Sequence, residues 1–235
     1  MNAFIVYAHP EPKSFNGALL QRGVETLTEL RHDVKVSDLY AMKFDPVSDR
    51  RNFLQRKDPH TFKQQQEELH AAERNGFAAE IAVEMDKLRW CDLLIFQFPL
   101  WWFGLPGILK GWVDRVFAMG FAYGMGRWYS RGIFAGKRAM LCLTTGGPAP
   151  MYEPDGVNGD IEQILFPIQH GMLYFTGFSV LPPFIAWSVA RVTDAERKAH
   201  LDAWGDRLCR AFDAEPMAFP PLEAYDEKFQ LKRIP

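Results

Sequence analysis

The segment from His9 to Asn16 joins an apolar stretch to a helical pattern that Ser14 can cap. The N-terminus of a helix offers free backbone N–H groups and the positive end of the helix dipole, and both favour a bound phosphate group. Lys13, Ser14 and Asn16 would add donors. Taken alone, the segment fits an ordinary strand-to-helix connection better than a phosphate site, so it only suggests such a site.

A second segment, residues 99–104 (PLWWFG), places three aromatic rings side by side directly after an apolar run. Adjacent rings in a loop cannot all point into one core face, so at least one should border a surface or a cleft. Flat rings near solvent suit a planar ligand such as an isoalloxazine, whose edge also needs backbone donors and acceptors. Packing in the core or in a dimer interface is the alternative.

A third segment, residues 144–147 (TTGG), is followed closely by Met151 and Tyr152. Two glycines allow the backbone to approach a ligand closely, and the threonine hydroxyls can bond a polar edge such as the pyrimidine ring of a flavin. A purely structural turn is the alternative here. The case for a site therefore depends on whether the fold brings the three segments together.

Apolar strand patterns and helical patterns alternate along the chain and would position these segments. Apolar runs predict strands at residues 3–8, 34–39, 93–98 and 138–145, with a strand-like run at 180–188. Helical spacing and capping residues predict helices at residues 15–30, from a capping box at Thr61 to about Arg89, at 108–116, at 160–175, and from a capping box at Thr193 to Phe212. Residues 40–60 have no period and should form a long loop.

This alternation predicts an α/β fold, a doubly wound parallel five-stranded sheet with helices on both faces. We expect one domain over residues 1–212, with its ligand at the carboxyl ends of the strands, where all three segments would meet. Three ligand-capable loops at one end of one sheet make coincidence less probable than any single loop does. Residues 213–235 are rich in proline and aromatic residues and should pack on the domain as an extended tail.

Composition excludes several partners. The formal charge is -2, with 27 basic and 29 acidic residues well mixed, so no basic stripe is available to neutralise the phosphates of nucleic acid. No apolar run approaches the roughly 20 residues that a membrane span needs, so we expect no membrane insertion. The 3 cysteines are far apart and odd in number, which indicates reduced thiols and a cytoplasmic protein.

Signatures of other enzyme classes are missing from the sequence. It has no G-x-x-x-x-G-K-[ST] phosphate loop and no G-x-G-x-x-G after the first strand, which argues against a nucleotide kinase and a Rossmann dehydrogenase. It also lacks H-E-x-x-H, C-x-x-C and the G-x-S-x-G nucleophile elbow. Zinc hydrolases and serine hydrolases become correspondingly less favoured.

Six collinear segments together resemble the flavin-containing NAD(P)H:quinone reductases, the DT-diaphorase-like enzymes. The segments are AHPEPKSFN (8–16), SDLYAMKFDP (37–46), FQFPLWWFGLPGILKGW (96–112), FAY (121–123), TTGG (144–147) and FPIQHG (166–171). The resemblance runs from residue 3 to about residue 212 and is loose in the tail. It implies a flavodoxin-like fold, bound FAD rather than FMN, and reduction of quinones or similar small aromatic acceptors by NAD(P)H.

The resemblance also implies residue roles, position by position. For the FAD pyrophosphate and ribityl region it implies His9, Phe15 and Asn16; for the isoalloxazine, Leu100, Trp101, Trp102 and Phe103; for its polar edge, Thr144, Thr145, Gly146 and Gly147; and for the adenosine portion, Arg197. On the substrate side it implies Tyr123, Gly124, Met125 and Phe175, with Met125 where the family often has a second tyrosine. A second subunit completes the flavin site in this family, so a homodimer is implied.

The implied chemistry is ping-pong: hydride passes from the nicotinamide to flavin N5, the nicotinamide leaves, and the acceptor takes two electrons. Tyr152 matches the catalytic tyrosine of the family and should donate a hydrogen bond toward the flavin N1/O2 side, where negative charge accumulates. Asn158 stands where the best-known member has histidine, and asparagine also occurs there in a relative that prefers dihydronicotinamide ribosides. An amide does not titrate, so Asn158 cannot act as an acid or a base.

Two other functions stay open at this stage. A flavodoxin-type electron carrier with FMN is disfavoured by the near-neutral charge, because carriers usually steer their partners with a strong surface field. A regulatory or ancillary subunit of a membrane transporter has no amphipathic membrane stripe to support it, but the sequence does not dismiss it. We predict no metal, because Tyr174 stands where a second histidine would have to join His170, which matches one zinc ligand of a relative.

Overall fold

Parallel strands and helices alternate along the computed structural model, which describes residues 1–232. The strands are β1 (Asn2–Tyr7), β2 (Asp33–Asp38), β3 (Leu93–Pro99), β4 (Arg138–Thr144), β5 (Ser179–Val180) and β6 (Phe184–Ala186). The α-helices are α1 (Phe15–Glu29), α2 (Gln64–Arg74), α3 (Ala79–Trp90), α4 (Gly107–Val116), α5 (Ile161–Ile168) and α6 (Asp194–Cys209). Each predicted strand and helix has a counterpart, although several boundaries differ.

The strands form one sheet in the order β2-β1-β3-β4-β5, and β6 also pairs with β4. Every pairing is parallel, which confirms the predicted α/β, flavodoxin-like architecture. The predicted fifth strand is divided into two, because Pro182 and Pro183 lack the N–H groups that a continuous ladder requires. β5 pairs with the start of β4, and β6 pairs with its end.

Both faces of the sheet are buried. Phe4, Val6 and Phe96 point into one core, which packs against α2, α3, α4 and α5. Ile5 and Ile95 alternate with them into a second core, which packs against α1 and α6. This alternation explains why β1 and β3 are continuously apolar, since a strand with helices on both faces buries every side chain.

Two predicted helices differ from those observed. The helix predicted from Thr61 to about Arg89 is two helices, because Asn75 takes a left-handed conformation and ends α2. The capping box predicted at Thr61 is wrong, since α2 begins at Gln64 and the Thr61 N–H donates to Asp58 instead. The helix predicted at 160–175 is α5 followed by a π-helix, Gln169–Tyr174. In contrast, the capping box at Thr193 is confirmed, with both of its reciprocal hydrogen bonds to Glu196 present.

The tail packs in extended form along the edge of the sheet. The Met217 N–H donates to the Val180 carbonyl at 2.7 Å, and the Tyr174 hydroxyl donates to Pro220 at 3.2 Å. An exposed ion pair of 2.7 Å joins Arg131 to Glu223. Residues 233–235 of the predicted tail lie outside the described part of the chain. The cysteines are free thiols, as predicted; two are buried and one is exposed.

Candidate active site

The three loops singled out in the sequence lie side by side at the carboxyl edge of the sheet. They follow β1, β3 and β4, which are adjacent strands. Backbone hydrogen bonds tie the strand ends together: Ala8 N–H donates to the Gln97 carbonyl at 2.9 Å, and Leu100 N–H donates to the Thr144 carbonyl at 2.9 Å. The fold therefore supplies the juxtaposition that the sequence could only predict.

The first loop folds closely over the start of α1. The Ser14 hydroxyl accepts the Gly17 N–H at 3.2 Å, which confirms the predicted cap. The Pro12 carbonyl oxygen lies so near that a Cβ atom on Gly17 would be 1.9 Å from it, so only glycine fits. The first turn of a helix carries N–H groups without partners inside the helix. In α1 this turn stands at the sheet edge, which suits an anionic group.

Buried polar groups connect the first loop to the third. The Asn16 side-chain amide donates to the Thr144 hydroxyl at 2.8 Å, and the Gln97 amide donates to the Asn16 carbonyl at 2.6 Å. Within the described chain, Asn16 Oδ1 and Gln97 Oε1 are buried acceptors without partners. Buried acceptors are costly when they are left unpaired. A hydroxyl of a ribityl chain is a donor of the kind that Asn16 Oδ1 needs, so this corner fits a flavin.

The second loop carries the aromatic rings on a strained backbone. Trp102 and Phe103 both have left-handed backbone angles, φ of 50° and 59°, which bulky residues rarely adopt. Trp102 is 96% exposed and Phe103 is 50% exposed, so neither ring packs in the core. The Trp101 ring lies 6.3 Å from the ring of His9 on the first loop. Strain at exposed aromatic residues is typical of a binding site rather than of packing.

This strain leads to a testable prediction for Trp102→Gly. Removing the side chain should leave the free energy of unfolding unchanged or raise it by about 1 kcal/mol, because glycine adopts the left-handed region without strain. Flavin affinity should fall, because one wall of the site is lost. Thermal unfolding of the flavin-free protein and a flavin titration would measure the two effects. Unchanged flavin affinity and turnover would show that the ring has no binding role.

The third loop is held tightly at its start. The Thr145 N–H donates to the Ala186 carbonyl at 3.1 Å, and its hydroxyl donates to the Gly147 carbonyl at 2.8 Å. Gly147 is buried, because Met151 Sδ and the Tyr152 ring lie 2.8 Å and 3.3 Å from where a Cβ would stand. Gly146 has no atom within 4 Å of that position and is open to a ligand.

The predicted catalytic pair belongs to this same loop. Tyr152 ends a short 3-10 helix, Ala149–Tyr152, and is largely buried, with its ring 5.4 Å from that of Trp187. The Asn158 N–H donates to the Met151 carbonyl at 2.9 Å, so the backbone at Asn158 returns to the residue before Tyr152. The structure thus holds the Tyr152 ring against Gly147 and ties the backbone of Asn158 to Met151.

Arg197 lies in the first turn of α6, beside the start of α1. The two helices pack against each other, and the ring of His200 in α6 lies 6.2 Å from the Phe15 ring in α1. Arg197 Nε is buried and has no partner among the described residues. Arg191, just before α6, donates to the Gly146 carbonyl at 3.4 Å. The predicted adenosine contact therefore stands beside the predicted phosphate loop, with a second arginine nearby.

The four predicted substrate-side residues form a separate group. The Tyr123 and Phe175 rings are 5.5 Å apart, and the Tyr123 hydroxyl accepts the Gln65 amide from α2 at 3.2 Å. Gly124 and Met125 follow with positive φ angles of 126° and 54°, and Met125 is exposed. Tyr123 and Phe175 border a cavity of about 210 Å³ whose other walls include residues of α2, α4 and the π-helix.

Burial raises the pKa values of two side chains that line this cavity. Desolvation raises the pKa of the Tyr123 phenol and the pKa of the Glu68 carboxyl, although Glu68 also accepts the Met119 N–H at 2.8 Å. Glu68 is almost fully buried, so its charged form is disfavoured there.

Sequence reasoning did not single out four residues that shape this edge. They are Gly17, Gln97, Trp187 and Arg191. A polar residue inside the apolar strand LLIFQFP could have drawn attention to Gln97, because buried amides need partners. For Trp187 and Arg191 the sequence carries no comparable pattern.

His170 is enclosed by aromatic rings. The Phe166 ring stacks on it with the ring centres 4.6 Å apart, and the rings of Tyr129, Tyr174 and Phe219 lie within 5.5 Å. Burial lowers the pKa of its imidazole. Over residues 1–232, no three histidine, cysteine or acidic residues cluster as metal ligands would.

The chain resembles known proteins over nearly its whole length. Residues 1–208 match the Flavodoxin_2 family, described by its flavodoxin-like fold. The chain is 43% identical to the NAD(P)H dehydrogenase [quinone] 1 of Cavia porcellus, covering 97% of this chain and 83% of that protein. It is 45% identical to the Ribosyldihydronicotinamide dehydrogenase [quinone] of Homo sapiens, covering 91% of this chain and 93% of that protein.

A crystal structure of a Klebsiella pneumoniae protein assigned as a quinone reductase superposes with a TM-score of 0.96 at 40% identity, covering 99% of this chain and 94% of that one. An NAD(P)H:quinone oxidoreductase from Methanothermobacter marburgensis superposes with a TM-score of 0.71 at 25% identity, covering 92% and 99%. Among the described helices, none combines the length and the apolar character that crossing a bilayer requires.

Proposed function

The chain belongs to the flavodoxin-like NAD(P)H:quinone oxidoreductase family, and from this premise we propose that it reduces quinones with NAD(P)H through non-covalently bound FAD. The observation that carries the proposal is the meeting of three loops at the carboxyl edge of the sheet. One offers a helix N-terminus, one exposed aromatic rings, and one a glycine pair beside threonine hydroxyls. These features match the phosphate, ring and pyrimidine parts of a flavin in turn.

FAD is proposed rather than FMN because cationic groups continue beyond the start of α1. The N-terminal turns of α1 and α6 lie together, and Arg197 and Arg191 add cationic groups next to them. A second phosphate and an adenosine would be accommodated along that line, whereas FMN would use only the start of α1. Mass analysis of the flavin released from purified protein distinguishes the two cofactors.

A bound flavin would supply the two-electron chemistry that couples oxidation of reduced nicotinamide to reduction of the acceptor in ping-pong turnover. The residues of the chain would bind the flavin and orient it. Thr145, Gly146 and Gly147 would contact the polar edge of the ring, and the aromatic loop would form one wall. The Tyr152 hydroxyl would donate a hydrogen bond where negative charge accumulates.

We propose a homodimer in which Tyr123, Gly124, Met125 and Phe175 serve the flavin loops of the second subunit. Tyr123 is bonded to Gln65 of α2, and Tyr123 and Phe175 line a cavity with residues of α2 and α4. Both features support this arrangement, because neither involves the three loops. Sedimentation of the flavin-loaded protein would test it, and a monomer that turns over at full rate would contradict it.

The decisive experiment combines a spectrum with turnover. Purified protein should show bound flavin absorbance and reduce a quinone with two electrons from NADH or NADPH, giving parallel lines in double-reciprocal plots. No flavin absorbance after reconstitution with FAD would overturn the proposal. Bound flavin without quinone turnover would instead favour an electron carrier or an ancillary subunit, and recovery with a transporter from membranes would separate those two.

The electron donor is a separate question. The sequence is 43% identical to an NAD(P)H dehydrogenase and 45% identical to a ribosyldihydronicotinamide dehydrogenase, so sequence identity does not distinguish the two donors. We predict that wild-type protein lacks a pH inflection near 6.5 from residue 158, since an amide does not titrate. Asn158→His should introduce one between pH 5 and 8. Stopped-flow flavin reduction with NADH, NADPH and a dihydronicotinamide riboside measures it. An unchanged profile with every donor would remove residue 158 from the reaction.

A further inference from the structure

We propose that Gln97 is a positioning residue for the flavin phosphates. It holds the first turn of α1 against the sheet through a single buried hydrogen bond, from its side-chain amide to the Asn16 carbonyl at 2.6 Å. The inference rests on the proposed FAD site. It adds a residue that lies beneath the site rather than in one of its three loops.

The direction of this bond is fixed by chemistry. A carbonyl oxygen can only accept, so Gln97 must present its NH₂ group to Asn16 and turn its own oxygen away. Gln97 is fully buried, and its strand β3 lies between β1 and β4 in the middle of the sheet. A bond from such a position ties the first turn of α1 to the middle of the sheet.

Fold stability alone does not account for an amide at this position. Gln97 is a polar side chain in a strand that is otherwise apolar, LLIFQFP. Its Oε1 atom is buried and has no partner within residues 1–232. A methionine would occupy a similar volume without burying an unpaired acceptor. The amide is explained if the placement of the α1 N-terminus matters more than the cost of that oxygen.

Asn16 extends the connection to the opposite side of the site. Its backbone carbonyl receives the bond from Gln97, and its side chain donates to the Thr144 hydroxyl at 2.8 Å. Thr144 begins the loop that would contact the polar edge of the ring. Through Asn16, Gln97 therefore sets the distance between the phosphate end and the ring end of the site, and the phosphate end depends on it directly.

The test uses flavins with and without phosphate. Flavin-free wild type, Gln97→Met and Gln97→Glu are titrated with FAD and with riboflavin, which has the ring and the ribityl chain only. Gln97→Met should weaken FAD binding about tenfold, the effect of losing one well-placed hydrogen bond, and riboflavin binding by less than about twofold. Gln169→Met, which alters a buried glutamine of the π-helix, is the matched control and should leave both affinities unchanged.

Gln97→Glu adds a pH readout that general destabilisation would not produce. A protonated carboxyl can still donate to the Asn16 carbonyl, whereas a carboxylate cannot and also repels the pyrophosphate. Burial raises a carboxyl pKa, so FAD affinity should approach the wild-type value near pH 5 and fall well below it at pH 8. The wild-type protein, measured alongside, should not show this additional loss.

The outcomes separate this inference from the proposed function. If wild type binds neither flavin, the proposed FAD site itself fails. If wild type binds FAD but Gln97→Met weakens both flavins equally, Gln97 is structural and the positioning role is overturned. The positioning role is also overturned if the FAD affinity of Gln97→Glu equals that of wild type at every pH. Should Gln97→Met fail to fold, judged by thermal unfolding, the pH dependence of Gln97→Glu decides.

Discussion

Tyr152→Phe should slow flavin reduction by up to about two to three orders of magnitude while leaving flavin bound. Losing one well-aimed donor to a developing negative charge costs about 2.7 to 4 kcal/mol of transition-state stabilisation. The phenol is largely buried beside the glycines of the third loop, where a hydrogen bond is less screened than in water. Backbone N–H groups of the loop remain, so the measured loss should lie below this upper limit. Stopped-flow reduction by NADH and NADPH measures it.

Tyr174→Phe is the matched control. It removes the same hydroxyl from a tyrosine whose bond, 3.2 Å to the Pro220 carbonyl, fixes the tail. Its flavin reduction rate should stay within about twofold of wild type, because a surface hydrogen bond contributes only about 1 kcal/mol, and that to folding. Equal rates for Tyr152→Phe and wild type with every donor would exclude Tyr152 from hydride transfer.

Gly17→Ala should abolish or severely weaken flavin binding, by about a hundredfold or more. Alanine normally stabilises a helix relative to glycine by roughly 0.5 to 1 kcal/mol. Here its Cβ would lie 1.9 Å from the Pro12 carbonyl oxygen, and backbone atoms cannot turn aside as a side chain can. The first loop must therefore move by about an ångström or more, which is enough to misplace ligand contacts. Flavin content after purification and a reconstitution titration measure the effect.

Gly107→Ala provides the opposite case within the same fold. Gly107 begins α4, and no atom lies within 4 Å of the position its Cβ would take. This variant should keep its flavin and unfold at the same temperature as wild type or a slightly higher one. If Gly17→Ala also binds flavin with wild-type affinity, the loop from His9 to Asn16 does not form the phosphate site.

Several elements were predictable because their causes are local. The strands β1 and β3 appear in the sequence as continuous apolar runs, since helices cover both faces of the sheet. Ser14 and Thr193 mark helix starts through hydrogen bonds to residues three positions away, so sequence spacing is sufficient to recognise them. The resemblance of six segments then identified the family, which the comparisons confirm.

Other elements were wrong or missed because their causes are distant in the sequence. The break between α2 and α3 depends on the left-handed Asn75, and the bridge of Phe53 with Phe77 shows the long loop pairing there with the chain just after it. The π-helix after α5 packs under a tail that begins some forty residues later. Hydrophobic periodicity predicts neither the break between α2 and α3 nor the π-helix, because both involve contacts between separate elements.

The sequence by itself determined the layered α/β fold and the three loops at its carboxyl edge, because strand patterns, caps and glycines act within a few residues. Only the tertiary structure decided how those loops are joined. The bond from Gln97 to Asn16 spans 81 positions, and that from Asn16 to Thr144 spans 128. Hydrogen bonds of this kind require atoms to be brought within 3 Å by the whole sheet, and no local pattern encodes that distance.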